Sequence, residues 1–381
     1  MRSVSTLALL LAAAIPTSSA FAADATAPED CTSPCLVYEG TADLTGEWLH
    51  PSDSAIGNSY LLLPTSENNF TVKATDSLSF IANIVTEQVI DPNPGDNQIF
   101  SGLGMYADVL QAQYDFENVS IWGGKIHPVF GRAWDVTPGL HGTDLADGYD
   151  LAERIGGGAS IGFEVGGMAN TLQASAFTMD RTILSESLFN NHGRTSLADG
   201  GAGNTAGVSS FAVALDGCMG AETDVCFDEG DFGYQLAARY QKGGDGSDGN
   251  ELGFLGSINK SISLTDEATV RLFGEAAFFR NFDGTADNAM VLTGSGALEM
   301  GSMTYSIAYS QQRTLVSGGT DVIAHLFDAT AMYDLGDTVS LGGEKWAVGA
   351  GYSFSRADGE DVQTIGIKLA TEFGGNVPFN N

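Results

Sequence analysis

Positive charge is what this sequence most lacks: 16 Lys and Arg stand against 48 Asp and Glu in 381 residues, for a formal net charge of −32. A surface this acidic repels phosphates, which argues against nucleic acid as a partner and suits surroundings rich in divalent cations. Proline is sparse, at 10 residues against 49 glycines, a balance unlike that of an ordinary soluble enzyme. After Ala22 no apolar run is long enough for a membrane helix, so a place in a bilayer would have to be reached by strands. The five histidines, His50, His127, His141, His192 and His325, are scattered. No Gly-x-Ser-x-Gly elbow and no phosphate-cradling glycine loop with Lys occurs. These absences leave no catalytic residue, metal ligand or cofactor to assign.

What is present begins with an export signal. Arg2 gives a positive start, Leu7 to Ile15 is a short apolar run, and Ala20-Phe21-Ala22 offers the small residues that a signal peptidase reads. Residues 1–22 are therefore expected to be removed, leaving 23–35 as an N-terminal periplasmic segment. The four cysteines fall into two local pairs, Cys31/Cys35 and Cys218/Cys226. In an exported chain they predict two small disulfides, and their spacing fits no zinc pattern.

The strongest signal is a period of two. From Leu36 to Trp48 the even positions Leu36, Tyr38, Ala42, Leu44 and Trp48 are apolar, while Glu39, Thr41, Asp43, Thr45 and Glu47 are polar. Phe232 to Gln241, Met303 to Ser310 and Trp346 to Phe354 repeat the pattern. One greasy and one wet face is what a barrel wall between lipid and water requires. A β-sandwich also alternates, but its greasy face is built from branched aliphatics. Here the polar face is rich in Gly, Gln and Ser, and aromatics gather near strand ends, as in interfacial girdles.

Segmenting by this period places sixteen strands near 36–48, 67–75, 78–90, 101–115, 118–125, 155–166, 171–179, 208–216, 232–242, 251–260, 267–279, 289–299, 302–311, 323–334, 344–355 and 362–373. Tight links such as Met300-Gly301-Ser302 alternate with longer ones rich in Asp, Asn and Gly. The fold class predicted is all-β: a transmembrane antiparallel up-and-down β-barrel over 36–373, with a tail at 374–381. The connection holding Cys218 and Cys226 is long where a short periplasmic turn belongs, and reads as a stapled protrusion.

At the segment His127 to Arg154 the chain resembles the Gram-negative outer-membrane porin superfamily of sixteen-stranded barrels. The stretch Gly124-Lys125-Ile126-His127-Pro128-Val129-Phe130-Gly131 is similar to the Gly-Lys-x-x-Pro-x-Phe-Gly stretch of phosphate-selective-type porins. The strand ending at Phe373 likewise resembles the closing strand of such barrels. The resemblance implies an outer-membrane location among lipid and lipopolysaccharide, a homotrimer, and a third loop folded into the barrel. It further implies passive diffusion of ions and small hydrophilic solutes.

If the third loop constricts the lumen, Arg132, Asp135, Asp144, Asp147, Asp150, Glu153 and Arg154 would line it. Strand phase puts Lys73, Lys125, Arg239, Arg271, Lys345 and Lys368 on the pore wall. Acids facing such a wall would set a transverse field across the opening. A solvated outer loop would carry the same acids. A structural or adhesive barrel, or a lipid hydrolase built around His325, would show the same strands. Gly243 to Asn250 resembles one turn of a calcium-binding repeat but occurs once, so it is expected to be a flexible loop.

Overall fold

The computed structural model describes residues 31–52, 57–93, 95–190, 193–223, 226–336, 345–357 and 359–379. The signal expected at 1–22 lies outside them. The described strands are β1 (Cys35–Pro51), β2 (Ser59–Lys73), β3 (Leu78–Gln88), β4 (Gln98–Ile99), β5 (Leu103–Asp115), β6 (Val119–Ile126), β7 (Arg154–Val165), β8 (Met168–Met179) and β9 (Leu188–Phe189). They continue with β10 (Ser210–Met219), β11 (Phe232–Gln241), β12 (Glu251–Thr265), β13 (Ala268–Arg280), β14 (Asn288–Met300), β15 (Met303–Leu315), β16 (Val322–Asp334), β17 (Lys345–Ala357) and β18 (Glu360–Pro378). The two-residue β4 and β9 are loop bridges. The other sixteen form an antiparallel wall in chain order, closed where β1 pairs with both β2 and β18.

The closing seam is long. β1 and β18 stay in register from Cys35 opposite Pro378 to Pro51 opposite Val362, so no edge is left open there. Alternation then sorts the side chains. Ile307, Ile367 and Leu236 are about 60% exposed on the outside, whereas Gln235, Arg239 and Gln241 are buried within. An apolar outer belt on a closed antiparallel barrel, with tight turns at one end and longer loops at the other, is the outer-membrane type of transmembrane β-barrel. Among the tight turns, Gly166-Gly167 and Gly301 supply the positive φ angles that two-residue links require.

All sixteen expected strands form, and the boundaries differ where the alternation is masked. β2 starts at Ser59 rather than 67, because Leu61-Leu62-Leu63-Pro64 hides the period. There Leu61 and Leu63 point inward and pack with Leu49. β18 continues through Gly374 to Pro378, where a tail was expected. Those residues carry little hydrophobic signal, yet they pair with the start of β1, and the Tyr38 ring covers Gly375.

β5 contains a bulge that sequence phase did not reveal. Asn83 faces Val109 while Ile84 faces Ala107, which leaves Asp108 as the extra residue. The bulge brings Asp108 toward the root of the loop between β6 and β7. Both predicted disulfides are present, Cys31–Cys35 and Cys218–Cys226.

The described part of the Cys218–Cys226 connection does not protrude. It folds back into the barrel, where the Phe227 ring meets the inward Phe273 and its carbonyl accepts from Arg271. Phe227 is apolar and Phe273 offers it a dry partner inside the wall, which a protruding turn would lack.

Candidate functional site

The connection from His127 to Glu153 includes two one-turn helices, α1 (Ala133–Val136) and α2 (Asp144–Asp147). Three sets of contacts hold it within the wall.

At its root, the buried Lys125 ammonium lies 2.7 Å from Glu153 and 3.2 Å from Asp180, and it donates to the Leu184 carbonyl at 2.8 Å. His127 stacks on Trp134 at 4.6 Å and places its ring nitrogens 2.7 Å from Asp150 and 3.5 Å from Asp108. Burial works against charge on His127. Asp150 and then Asp108 outweigh it, holding the imidazole's proton well above the ordinary range.

The second set sits on β10 to β13. The backbone N–H of Gly131 donates to Gln235 at 2.8 Å, and that of Arg132 donates to Glu275 at 2.8 Å. Gly131 has a φ of +93°, which suits the residue that turns the chain there. Glu275 also accepts from Ala133 N–H at 3.3 Å and from the Tyr149 hydroxyl, so one carboxylate binds the loop at both ends of its span. The Arg132 guanidinium reaches Asp216 at 2.7 Å. Arg239 lies between the rings of Phe130 and Phe279, 4.6 Å from each centroid. It pairs with Glu251 at 2.7 Å and donates to the Tyr149 carbonyl. Around these groups Phe130, Tyr149, Leu151, Leu255, Phe273 and Phe279 form an apolar core inside the barrel. Burying those side chains is what offsets the conformational cost of ordering so long a loop.

The third set is at the tip. His141 donates its backbone N–H to Asp328 on β16 at 3.1 Å. Its ring nitrogens lie 3.2 Å from Glu47 on β1 and 3.2 Å from Asp144 in α2. Burial disfavours its charge as well, but Glu47 and Asp144 together keep the ring protonated well above the usual imidazole range. Asp147 is pushed well up, first by burial and then by Asp144, Asp150, Glu87 and Asp135.

The sequence-predicted residues thus divide. Arg132, Asp144, Asp150 and Glu153 hold the loop in place. Asp135 and Asp147 lie in α1 and α2. Arg154 is the first residue of β7, and its Nε has no hydrogen-bond partner. Arg271 pairs with Glu299 at 2.7 Å and Lys368 with Asp43 at 3.1 Å. Lys73 is opposite Cys35 at the far end of β2, away from the loop's contacts. Lys345 and Lys368 line an open cavity of about 370 Å³ beneath the loop tip, together with Asp43 and Glu299.

At its contacts on β1, β10, β13 and β16 the loop meets Glu47, Asp216, Glu275 and Asp328. Sequence reasoning did not single out these carboxylates, nor His127 and His141. The available signal was strand phase, since each is an acid at an inward position of an otherwise alternating strand. Among the described residues no group of three or more His, Cys, Asp or Glu is placed to hold a metal ion. His325 lies at a strand position whose ring nitrogen is 2.7 Å from the Tyr309 hydroxyl, a pair that supplies neither a serine nor a carboxylate.

No family model and no curated protein matches the chain. It is similar in fold to several solved outer-membrane proteins. The outer membrane channel DcaP of Acinetobacter baumannii is 11% identical, with 91% of this chain and 99% of that chain covered and a TM-score of 0.49. A loop-deletion mutant of OmpT, an outer membrane protein of Vibrio cholerae, is 10% identical over 88% of this chain and 99% of its own, with a TM-score of 0.49. A mutant of Rh. blastica porin is 15% identical over 88% and 99% of the two chains, with a TM-score of 0.47. All three TM-scores lie below 0.5, and the barrel architecture stands on the strand register itself.

Proposed function

We propose that the protein is a porin-type diffusion channel, without enzymatic activity, that passes ions and small hydrophilic solutes across the outer membrane. One observation carries the reading: a long outer loop is anchored to inward side chains on well-separated strands of the wall, Asp216 on β10 and Glu47 on β1, above an open, charged cavity. Such a loop narrows the lumen while leaving a polar path, which is how a barrel sieves solutes by size and charge.

The charge inventory favours cations. Lys125, Arg132, Arg239, Arg271 and Lys368 each lie within 3.2 Å of a carboxylate. Over the whole chain 48 Asp and Glu stand against 16 Lys and Arg, so the acids outnumber the bases that pair with them. The same reading gives the barrel lipid and lipopolysaccharide as surroundings and three copies as its assembly, which chemical cross-linking in detergent checks.

A second reading rests on the apolar core packed inside the β10 to β13 side, which suits a closed structural barrel. Swelling of liposomes carrying the refolded protein, in neutral sugars of increasing size, separates the two. Uptake of the smaller sugars with a sharp upper limit is expected. Liposomes that exclude every sugar, with the barrel verified as inserted, would leave the structural reading standing.

A further inference from the structure

The loop tip lies along a single row of the wall. Thr330, Gly351, Gly366 and Glu47 are successive register partners on β16, β17, β18 and β1. Two inward glycines side by side leave a flat notch where neighbouring strands carry side chains, and Leu140 fills it. A Cβ on Gly351 would stand 2.8 Å from Leu140 Cδ1, and one on Gly366 would stand 2.4 Å from the same atom. Leu140 therefore seats directly against both positions, and a methyl at either would push the end of its side chain aside.

The residues flanking Leu140 continue along the row. Gly139 has a φ of +128°, and its face is occupied by the Asp328 carboxylate, which also accepts from Thr330. On the other side, the His141 ring reaches Glu47. Gly139, Leu140 and His141 therefore cross four strands in order, with an apolar plug between two polar anchors. Leu140 is 4% exposed and, with Gly139, borders the cavity that opens below between β13 and β1.

We infer that Leu140, seated on Gly351 and Gly366, is a size-determining residue: it seals the β16-to-β1 side of the lumen and confines solutes to the remaining path. The inference rests on the porin reading. It adds that the sieve depends on an uncharged side chain and two glycines, none of which bears on charge selectivity. Truncating Leu140 empties the notch on the two glycines and adds a gap between the loop tip and the wall, above the lower cavity. That gap carries ions beside the existing path and raises conductance by up to roughly twofold.

The test is single-channel conductance in KCl, with the size limit read from neutral poly(ethylene glycol)s of graded mass. Leu140→Ala should raise conductance, by up to roughly twofold, and admit larger polymers, with the reversal potential unchanged. Gly366→Ala attacks the same contact from the wall: its methyl pushes the end of the Leu140 side chain out of the notch, so both readings should rise by less than in Leu140→Ala. In the double variant the new methyl enters space that Leu140 has left, so its readings should equal those of Leu140→Ala alone. If any one variant folds poorly, the other carries the test. Wild-type conductance and polymer limit in folded Leu140→Ala or Gly366→Ala would overturn the inference while leaving the porin reading intact. A wild-type barrel that conducts nothing would overturn the porin reading instead.

Discussion

His141 and Glu47 face each other at 3.2 Å, ring nitrogen to carboxylate oxygen, tying the middle of a loop rooted between β6 and β7 to the first strand of the barrel. The charged groups around His141 are Glu47 on β1, Asp144 in α2 and Asp328 on β16, and all three are acids. They hold its proton to a pH well above the ordinary value of 6.5. A raised histidine contributes stability that is fully present below its unfolded value and is lost as pH rises through the folded one. The anchor should therefore be intact at and below pH 6.5 and loosen on the alkaline side. Open-channel current noise is expected to grow as pH is raised through that upper range, and His141→Gln should be noisy throughout. Equal, pH-independent noise in both proteins would remove His141 from this role.

Asp135 and Asp147 lie on the loop's two helical turns, where Asp147 experiences its neighbours' negative charge. Removing one charge about 7 Å from an ion in water-like surroundings changes the ion's energy by roughly 0.6 kcal/mol, a two- to threefold change in permeability. Asp135→Asn should lower the cation-to-anion permeability ratio by that factor, with the barrel's heat-modifiable gel mobility unchanged, whereas Asp147→Asn should change it less, because burial and neighbouring acids favour the neutral Asp147 carboxyl. Asp144→Asn and Asp150→Asn remove partners of His141 and His127, so they should disturb channel noise as well as selectivity.

Arg239 is buried against Glu251 between two phenylalanine rings. Removing one member of a buried pair leaves the other charge uncompensated, at a cost of about 3–5 kcal/mol. Arg239→Ala should lower the unfolding midpoint in detergent accordingly. Arg239→Lys should recover only part of the loss, because an ammonium cannot reproduce the guanidinium's planar contact with the rings or its second hydrogen bond. A midpoint within error of wild type for Arg239→Ala would show that the loop's apolar core holds without this pair.

Much of the fold was legible because lipid outside and polar groups inside impose one simple rule on every strand. That rule marks Leu36 to Trp48 or Met303 to Ser310 without any knowledge of partners. It fails where residues break the period for local reasons. Leu61 and Leu63 turn inward to pack with Leu49, Asp108 is displaced by a bulge, and Gly374 and Gly375 pair without a hydrophobic signal. The loop's acids were visible as a group, but their partners were not. Glu275 binds Arg132 N–H across 143 positions, and Asp328 binds His141 N–H across 187. Such distant pairings follow only once the barrel is closed.

The disulfide between Cys218 and Cys226 closes a short loop, and Phe227, the residue that follows it, packs inside the barrel. Closing a loop of this length contributes about 2–3 kcal/mol by restricting the unfolded chain. Cys218→Ser with Cys226→Ser, or treatment with a reductant, should lower the unfolding midpoint by a matching amount. The double variant should respond less to reductant, because only Cys31–Cys35 is left to reduce. A reductant effect that persists undiminished in the double variant would assign it to Cys31–Cys35 instead.

The most direct test of the whole account is the conductance of the refolded wild-type protein in a planar bilayer with a salt gradient across it. Stable unitary steps, with a reversal potential whose sign marks potassium as more permeant than chloride, are predicted from the excess of inward carboxylates. A correctly folded, inserted barrel that stays electrically silent at every salt concentration would contradict the channel reading.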